Sequence, residues 1–367
     1  MICSVTYAEA APDGAPCTSS MRYAFVLNPA ARNGRAARLW AELEKLSRAA
    51  GLDFTLRETE ARGHGIELAR QAAQSHDVVV AVGGDGTVQE VMRGVVGSEA
   101  VMGIIPAGTG NDFAQAIGMP KGLDEALSAM LKADTVAVDV GRIRWQEKGD
   151  DGLLTEHEGA FTNCAGTGFD AAAAKATHRY KALGGRLSYV AAVLETLWKW
   201  RKPEVEVEIW ASGFEDGGDG AVGDGREPGG RGMTSKTANP KAQSPKPIHT
   251  GQFFLIEIDN GFSVGGGFLL TPNAQIDDGL FDVCFVEHLT TRRALQLMPK
   301  TFSGAHVGEP EVRLFQARSV RINSTAPLPV QADGEILTAC AVSLDVEIVP
   351  GALRIRAPQL RRPVGTA

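Results

Sequence analysis

The chain has 367 residues, of which 44% are apolar, 22% charged and 6% aromatic, and its formal net charge is −7. This is the composition of an ordinary globular protein, so it argues against wholesale disorder and against a fibrous fold, and the length indicates two domains. The negative charge argues against a protein that binds nucleic acid through a broad basic surface.

Residues 1–20 are small and polar without periodicity, which predicts a loose tail. From residue 22 to residue 140, strand-like and helix-like patterns alternate. The strand-like runs are Arg22–Leu27, Phe54–Thr59, Asp77–Val82 and Val101–Ile105, and the helix-like runs are Arg35–Ala50, Gly65–Gln74, Val88–Val96, Phe113–Ile117 and Gly122–Lys132. This alternation predicts parallel βαβ units with right-handed crossovers.

After about residue 135 the rhythm changes, and strand-like runs dominate. They lie at 134–144, 159–165, 203–210, 251–259, 280–287, 312–322 and 341–348, with helix-like runs at 186–200 and 290–303. This pattern predicts a β-rich second domain. Within it, residues 211–248 are rich in Gly, Ser, Thr, Lys and Pro, which predicts a flexible surface insertion. We therefore divide the chain into domains at 21–140 and 141–357, with a C-terminal tail at 358–367.

The five cysteines and the apolar runs bear on the cellular compartment. No two cysteines have CxxC spacing, which argues against a zinc site or a disulfide framework and favours a reducing cytoplasm. The first twenty residues lack the basic and apolar regions of a signal peptide. No apolar run approaches the ~18 residues of a spanning helix. We expect a cytoplasmic protein that meets a membrane only at its surface.

The first chemical signal is the run VAVGGDGT at Val80–Thr87, where a buried strand enters a glycine-rich turn and then a helix. Gly83, Gly84 and Gly86 would let backbone N–H groups approach a phosphate, and the helix N-terminus adds partial positive charge. The run is neither a Walker loop nor a GxGxxG fingerprint, because Asp85 lies among the glycines. A carboxylate beside a polyphosphate needs a cation between them, so Asp85 indicates a Mg²⁺-nucleotide. The alternative is a tight turn in which Asp85 caps the helix.

Two further turns of this kind follow other predicted strands. The run PAGTGNDFA at 106–114 lies one βα unit later. In it Thr109 offers a hydroxyl and Asn111 an amide, and Asp112 either caps the next helix or faces the site. The run NPAARNGR at 28–35 follows the first strand and adds polar and cationic groups. In an open parallel sheet all three turns lie at the carboxyl ends of strands, where ligands bind.

The runs NPAARNGRA, GGDGTVQEV and PAGTGNDFA, in this order and spacing, resemble the diacylglycerol kinase catalytic domain. The resemblance is to the bacterial lipid kinase branch, which is related to sphingosine and ceramide kinases, and it covers roughly residues 21–357 apart from the insertion. It implies an N-terminal α/β domain with a parallel sheet, like that of phosphofructokinases and NAD kinases. It also implies a C-terminal domain rich in β-sandwich, with the active site in the cleft between the two.

The resemblance extends into the second domain and implies roles there. The run NCAGTGFD is similar to a strand and glycine turn that enter the cleft. The run QIDDGLFDV is similar to a segment that holds a structural Mg²⁺ in relatives, which implies metal ligation by the Asp278 carboxylate and by the carbonyls of Gln275 and Leu280. The run DGE matches a family motif and makes Glu335 the expected proton acceptor. Taken alone, the last two runs are typical of ordinary turns.

The implied activity is transfer of the γ-phosphate of ATP to a lipid hydroxyl, with Mg²⁺ as cofactor. Glu335 takes the hydroxyl proton, and Asp85 and Asp112 complete the expected catalytic residues by organising Mg²⁺. The expected nucleotide-binding residues are Asn28, Pro29, Thr59, Gly83, Gly84, Asp85, Gly86, Thr87, Gly108, Thr109 and Asn111. Arg32, Arg35 and Arg38 are candidate contacts for phosphate or anionic lipid, and each also fits a solvated helix face. Trp198 and Trp200 fit core packing, or an aromatic helix end that touches acyl chains or a membrane interface.

Two other functions remain as alternatives. One is a soluble-substrate kinase of the NAD kinase and phosphofructokinase superfamily, against which the run PAGTGNDFA followed by DDGLFDV argues. The other is a non-catalytic nucleotide-binding regulator, against which the intact Asp85, Asp112 and Glu335 argue. The expected partner is a lipid such as diacylglycerol, presented to a cytoplasmic protein at the inner membrane face, and no nucleic acid is expected. The identity of the lipid and the oligomeric state stay open, and a homodimer is one option.

Overall fold

The computed structural model describes residues 21–149, 151–177, 179–180, 185–199, 207–212, 215–216 and 249–362. The predicted tail at 1–20 and most of the predicted insertion lie outside the described residues. Strand pairing continues into the first residues of that insertion, because Ala211 and Ser212 pair with Val320 and Ser319. None of the described helices is long and apolar enough to cross a membrane.

The first part of the chain folds as the predicted alternation of strands and helices. The strands are β1 (Arg22–Leu27), β2 (Asp53–Glu58), β3 (Val78–Gly83) and β4 (Val101–Pro106), and the helices are α1 (Ala31–Ala49), α2 (His64–Ala73), α3 (Asp85–Val95), α4 (Asp112–Ala116) and α5 (Leu123–Lys132). The strands pair in the order β2-β1-β3-β4, and all three pairings are parallel. Every residue of β3 is buried, as expected for a parallel sheet covered on both faces. The predicted α/β domain is therefore confirmed.

The second part is rich in strands, as predicted, and its described residues also form three α-helices. The strands are β5 (Thr135–Lys148), β6 (Leu154–Phe161), β7 (Cys164–Gly168), β8 (Val207–Ser212), β9 (Glu215–Asp216), β10 (His249–Gly251), β11 (Leu255–Asp259), β12 (Phe281–Val286), β13 (Val312–Ala317), β14 (Ser319–Ala332) and β15 (Glu335–Arg356), and the helices are α6 (Phe169–Thr177), α7 (Gly185–Lys199) and α8 (Thr291–Thr301). All pairings among these strands are antiparallel. Helix α6 was not predicted, because the glycine turn before it indicated a loop.

Strand β15 joins the parallel and the antiparallel strands into one continuous sheet. Its first residues form a hairpin with β14, while Ile355 near its end pairs in parallel with Met102 of β4. The prediction of a strand over 341–348 was too short, because the Pro350-Gly351 pair indicates a break. In the structure a register shift between Val349 and Leu353 in the pairing with β5 absorbs these residues, and the strand continues.

Three apolar clusters form the core. The first lies around the parallel sheet and includes Phe25 and Met92, together with Leu353 and Ile355 from the end of β15. The second lies on one face of the antiparallel strands, and the third lies on the other face, between β11, β12 and helices α6 to α8. The end of β15 therefore belongs to the core of the first part of the chain.

The predicted C-terminal tail at 358–367 needs correction over its first five residues. The amides of Gln359 and Arg361 donate hydrogen bonds to the carbonyls of Ile117 and Ala116 at the end of α4. The guanidinium of Arg361 lies 3.9 Å from the ring centre of Phe262. Residues 358–362 therefore contact both domains, through α4 in the first and Phe262 in the second. Residues 363–367 lie outside the described residues.

Candidate active site

A cleft of about 500 Å³ opens where the ends of the parallel strands face the start of β15. Its lining includes nine residues that were predicted for the site: Asn28, Thr59, Gly84, Asp85, Gly86, Thr87, Gly108, Thr109 and Glu335. Five lining residues were not predicted: Ala30, Glu60, Ala61, Arg62 and Glu90. Four predicted residues are absent from the lining: Pro29, Gly83, Asn111 and Asp112. The side chains of Arg32 and Arg35 lie outside the described residues, and Arg38 is exposed on α1.

The two glycine-rich turns touch each other through their backbones. A Cβ atom at Gly108 would lie 2.4 Å from the Cα of Gly84, and one at Gly84 would lie 3.1 Å from the Cα of Gly108. Such approaches leave no room for a side chain at Gly108 and very little at Gly84. At Gly83, a Cβ would overlap the side chain of Thr87, 2.3 Å from its Oγ1. Packing therefore requires glycine at Gly83, Gly84 and Gly108. The two turns together form a surface of backbone atoms at the floor of the cleft, called the glycine wall below.

Asp85 holds the second turn in place. Its Oδ2 accepts a hydrogen bond from the Asn111 amide and its Oδ1 accepts one from the Asp112 amide, both at 2.8 Å. Asn111 has a left-handed backbone, with φ of 56°, and its side chain bonds both the N–H and the carbonyl of Gly108. Burial raises the pKa of Asp85, and the two amide donors oppose that rise. Asp85 thus caps α4, whereas the capping alternative placed it on its own helix.

Asp112 connects the two domains. Its Oδ1 accepts a hydrogen bond of 3.1 Å from the Ser263 hydroxyl, and its Oδ2 accepts one of 2.8 Å from the Gly266 amide. The side chain is buried. Burial, reinforced by the negative charge of Asp85, raises the pKa of Asp112 to about 7. Asp112 therefore links α4 to the loop after β11 through these two hydrogen bonds. It is absent from the lining of the cleft.

The DGE motif forms the tight turn between β14 and β15. Asp333 has a left-handed backbone, with φ of 48°. Its carboxylate accepts hydrogen bonds from the amides of Thr162, Asn163 and Cys164, each at 2.9 Å, and from the Thr162 hydroxyl. These bonds tie the turn to the segment between β6 and β7. Glu335, two residues later, begins β15 with its side chain 24% exposed in the cleft.

Arg62 is the unpredicted residue with the clearest partner. Its Nη2 lies 3.0 Å from Oε1 of Glu335, so an ion pair crosses the cleft from one domain to the other. The turn that carries Arg62 is held by Glu90 of α3, whose two carboxylate oxygens accept hydrogen bonds from the amides of Gly63 and Gly65. The sequence signal for this turn is the GHG run at 63–65, where His64 fits either a loop or the edge of a nucleotide site.

The predicted metal loop lies outside the cleft lining and is rich in carboxylates. Asp278 accepts a hydrogen bond from the Leu280 amide, and Asp277 forms a two-pronged ion pair with Arg362, which also donates to the side chain of Gln275. Asp139 of β5 accepts from the amides of the adjoining turns. Burial raises the pKa of Asp278, and the negative charges of Asp139 and Asp277 raise it further. A cluster of carboxylates of this kind fits a hard divalent cation, which takes oxygen ligands.

The protein-family model described as the diacylglycerol kinase catalytic domain matches residues 22–143, and the model described as the YegS C-terminal NAD kinase beta sandwich-like domain matches residues 163–357. The chain belongs to this lipid kinase family. It is 30% identical to a diacylglycerol kinase of Mycobacterium tuberculosis over 80% of each chain. It is also 30% identical to a probable YegS-like lipid kinase of Chromohalobacter salexigens, over 89% of this chain and 92% of the other.

The fold of the lipid kinase also matches solved structures. A putative diacylglycerol kinase of Bacillus anthracis superposes with a TM-score of 0.64 at 21% identity, over 92% of this chain and 97% of the other. At that identity the match concerns the fold. It agrees with the two-domain architecture described above, an α/β domain with a parallel sheet followed by a β-sandwich-like domain.

Proposed function

We propose that this lipid kinase transfers the γ-phosphoryl group of ATP to a hydroxyl of diacylglycerol or a similar lipid, in the cleft described above. The observation that supports this most is the facing pair of walls: the packed glycine turns on one side and the Glu335 carboxylate on the other. Phosphoryl transfer needs a cradle for the phosphates, neutralisation of charge, and a base beside the attacking hydroxyl.

The phosphates would bind to the glycine wall. The turn at Gly84–Gly86 leads directly into α3, so backbone N–H groups and the positive end of the helix point toward one region. Asn28, Thr59 and Thr109 line the same cleft and supply polar side-chain atoms. Glu335 then takes the proton of the lipid hydroxyl as its oxygen attacks the γ-phosphorus.

Two cation sites fit the residues present. Mg²⁺ bound with the nucleotide would neutralise phosphate charge, and Asp85 is the carboxylate of the glycine wall that could hold it or its water. In the loop outside the cleft, a structural Mg²⁺ would be held by the Asp278 carboxylate and the carbonyls of Gln275 and Leu280. Asp139 adds negative charge there, whereas Asp277 is paired with Arg362. In both places the protein's carboxylates fix neighbouring backbone amides as well.

A lipid substrate is supported by a second cavity and by one helix surface. An apolar cavity of about 90 Å³ lies between helices α7 and α8 and the sheet, with Phe254, Phe268 and Leu297 in its lining. Leu194 and Trp198, one turn apart on α7, are 43% and 88% exposed. The exposure of Trp198 contradicts the core-packing interpretation for that residue, and Trp200 lies outside the described residues. An apolar cavity beside an exposed apolar helix face suits an acyl chain and a membrane surface, and this favours a lipid over a soluble substrate.

A lipid panel tests the proposal. Purified protein with Mg²⁺-ATP should consume ATP when diacylglycerol micelles are present, and mass spectrometry should find the phosphorylated lipid. Glu335→Gln should lower turnover by roughly 10²–10⁴, the usual contribution of a positioned base. ATP consumption with NAD and without any lipid would instead support the soluble-substrate alternative. Sedimentation with vesicles containing anionic lipid tests the expected position at the inner membrane face.

A further inference from the structure

The charges that line the cleft are unbalanced. Among the described lining residues four side chains are acidic, namely Glu60, Asp85, Glu90 and Glu335, and Arg62 is the one basic side chain. A site that binds a polyphosphate needs positive groups, and an arginine fork matches a phosphate with two parallel hydrogen bonds. Arg62 is therefore the cleft's own candidate for a phosphate contact.

The backbone beside Arg62 is fixed while its side chain is exposed, and this suits such a contact. Glu90 fixes the backbone on the C-terminal side of Arg62 through the amides of Gly63 and Gly65. Glu90 belongs to α3, the same helix that starts at the phosphate-binding turn. The Arg62 side chain is 65% exposed, so its guanidinium can move while its Cα stays in place.

The ion pair with Glu335 gives Arg62 a second role. At 65% and 24% side-chain exposure, such a pair contributes little to stability. It does occupy one oxygen of the carboxylate that is proposed to take the lipid proton. A phosphate in the cleft would compete with Glu335 for the same guanidinium.

We propose that Arg62 is a phosphate-binding residue that exchanges Glu335 for the terminal phosphates of the nucleotide, and so releases Glu335 to act as the base. This inference rests on the proposed function. In the step that follows, the lipid oxygen forms a bond to the γ-phosphorus as the bond from that phosphorus to the bridging oxygen breaks. The hydroxyl proton goes to Glu335, and ADP leaves with the electron pair of the broken bond on its terminal oxygen.

Nucleotide binding tests the exchange without lipid turnover. Calorimetry on the full chain would compare a non-hydrolysable ATP analogue with adenosine, both with Mg²⁺. Arg62→Ala should lower the affinity for the analogue by about 10-fold, which is the lower range for a charge-assisted hydrogen bond. The same substitution should leave the affinity for adenosine unchanged. Arg62→Lys should fall between, because it keeps the charge and loses the fork. Arg70→Ala is the matched control, since Arg70 is similarly exposed and pairs with Glu67 outside the cleft.

A double-mutant cycle separates exchange from simple attraction. If Glu335 competes with phosphate for Arg62, Glu335→Gln should raise the affinity for the analogue a few-fold in the wild-type background. In the Arg62→Ala background it should leave that affinity unchanged. Equal tightening in both backgrounds would mean plain charge repulsion and would overturn the exchange. An analogue affinity in Arg62→Ala equal to that in Arg70→Ala would overturn the phosphate contact. If the wild type binds no ATP analogue and phosphorylates no lipid, the proposed function itself fails.

Discussion

Gly108 and Gly86 line the same cleft and differ in how closely other atoms approach them. A side chain at Gly108 would meet the backbone of Gly84, whereas a Cβ at Gly86 meets nothing within 4 Å. Gly108→Ala should therefore destabilise the protein by about 1–3 kcal/mol, the usual cost of overpacking. Gly86→Ala lies in the first turn of α3, and it should leave the melting temperature unchanged or raise it.

Thermal melts of the two variants check this contrast. Both substitutions narrow the phosphate region, so nucleotide affinity should fall in both, and only stability should separate them. Equal melting temperatures would show that the two turns can move apart and that their contact does not define the floor of the cleft.

His306 provides a pH prediction away from the cleft. It lies buried in the lining of the apolar cavity, and its Nε2 bonds the Leu270 carbonyl. Its Nδ1 has no hydrogen-bond partner among the described residues. Burial lowers the pKa of His306. Because the unfolded chain then binds the proton more readily, stability should fall as pH drops below about 6.5, the unperturbed value for histidine.

His306→Gln removes this ionisation and keeps a donor for Leu270. Denaturant unfolding at pH 7.5 and pH 5 should show a smaller loss of stability in the variant than in the wild type. His288 is the matched control, because it is an exposed histidine on the same part of the chain. His288→Gln measures the effect of removing a histidine at an exposed position. An identical pH dependence in His306→Gln would contradict the assignment.

At the scale of elements, the sequence was most informative where one pattern governs both burial and pairing. The parallel strands could be predicted because strands such as β3 are buried on both faces, so an unbroken apolar run marks them. Strand β15 could be predicted only in part, because its continuation past Pro350-Gly351 depends on a register shift against β5. The ion pair of Arg62 and Glu335 could not be predicted, since no local pattern relates residues so far apart in the chain.

The roles of polar residues were equally hard to predict from local patterns. The glycine-rich runs drew attention to Asp85 and Asp112, the family resemblance gave them an expected role, and the structure brings both to the junction of the two turns. Their partners, the amides of Asn111 and Gly266, belong to other segments. Asp139 was missed, although a buried acid within an apolar strand is itself a signal that a partner is near. The catalytic and metal-binding roles stay predictions.

The segment 358–362, called the strap below, contacts α4 of the first domain and the loops of the second domain, and this leads to a truncation prediction. It satisfies carbonyls at the end of α4, stacks Arg361 on Phe262, and pairs Arg362 with Asp277. Ending the chain after Ala357 removes all of these contacts and should destabilise the protein by about 1–3 kcal/mol, the cost of leaving buried polar groups unsatisfied. Ending it after Arg362 keeps all of these contacts and is the reference truncation. Equal melting temperatures for the two truncations would show that the strap does not hold α4.

For the whole molecule, the shared strand bears on how the two domains unfold. Separate domains usually unfold in separate steps. Here β15 forms a hairpin with β14 at its start, pairs with β5 along most of its length, and contributes Leu353 and Ile355 to the first apolar cluster at its end. The first cluster cannot lose this strand without disturbing the antiparallel sheet. We therefore expect one cooperative transition.

Ile355→Ala tests this coupling, because Ile355 is fully buried in the first cluster alone. Removing its side chain should cost about 2–5 kcal/mol. If β15 couples the domains, calorimetry should show one transition moved to lower temperature, with equal calorimetric and van't Hoff enthalpies. Ile322→Ala in β14, buried in the second cluster alone, should move the same single transition. A first transition that shifts in one variant while a second stays fixed would show that the domains unfold independently, and that the strand only connects them.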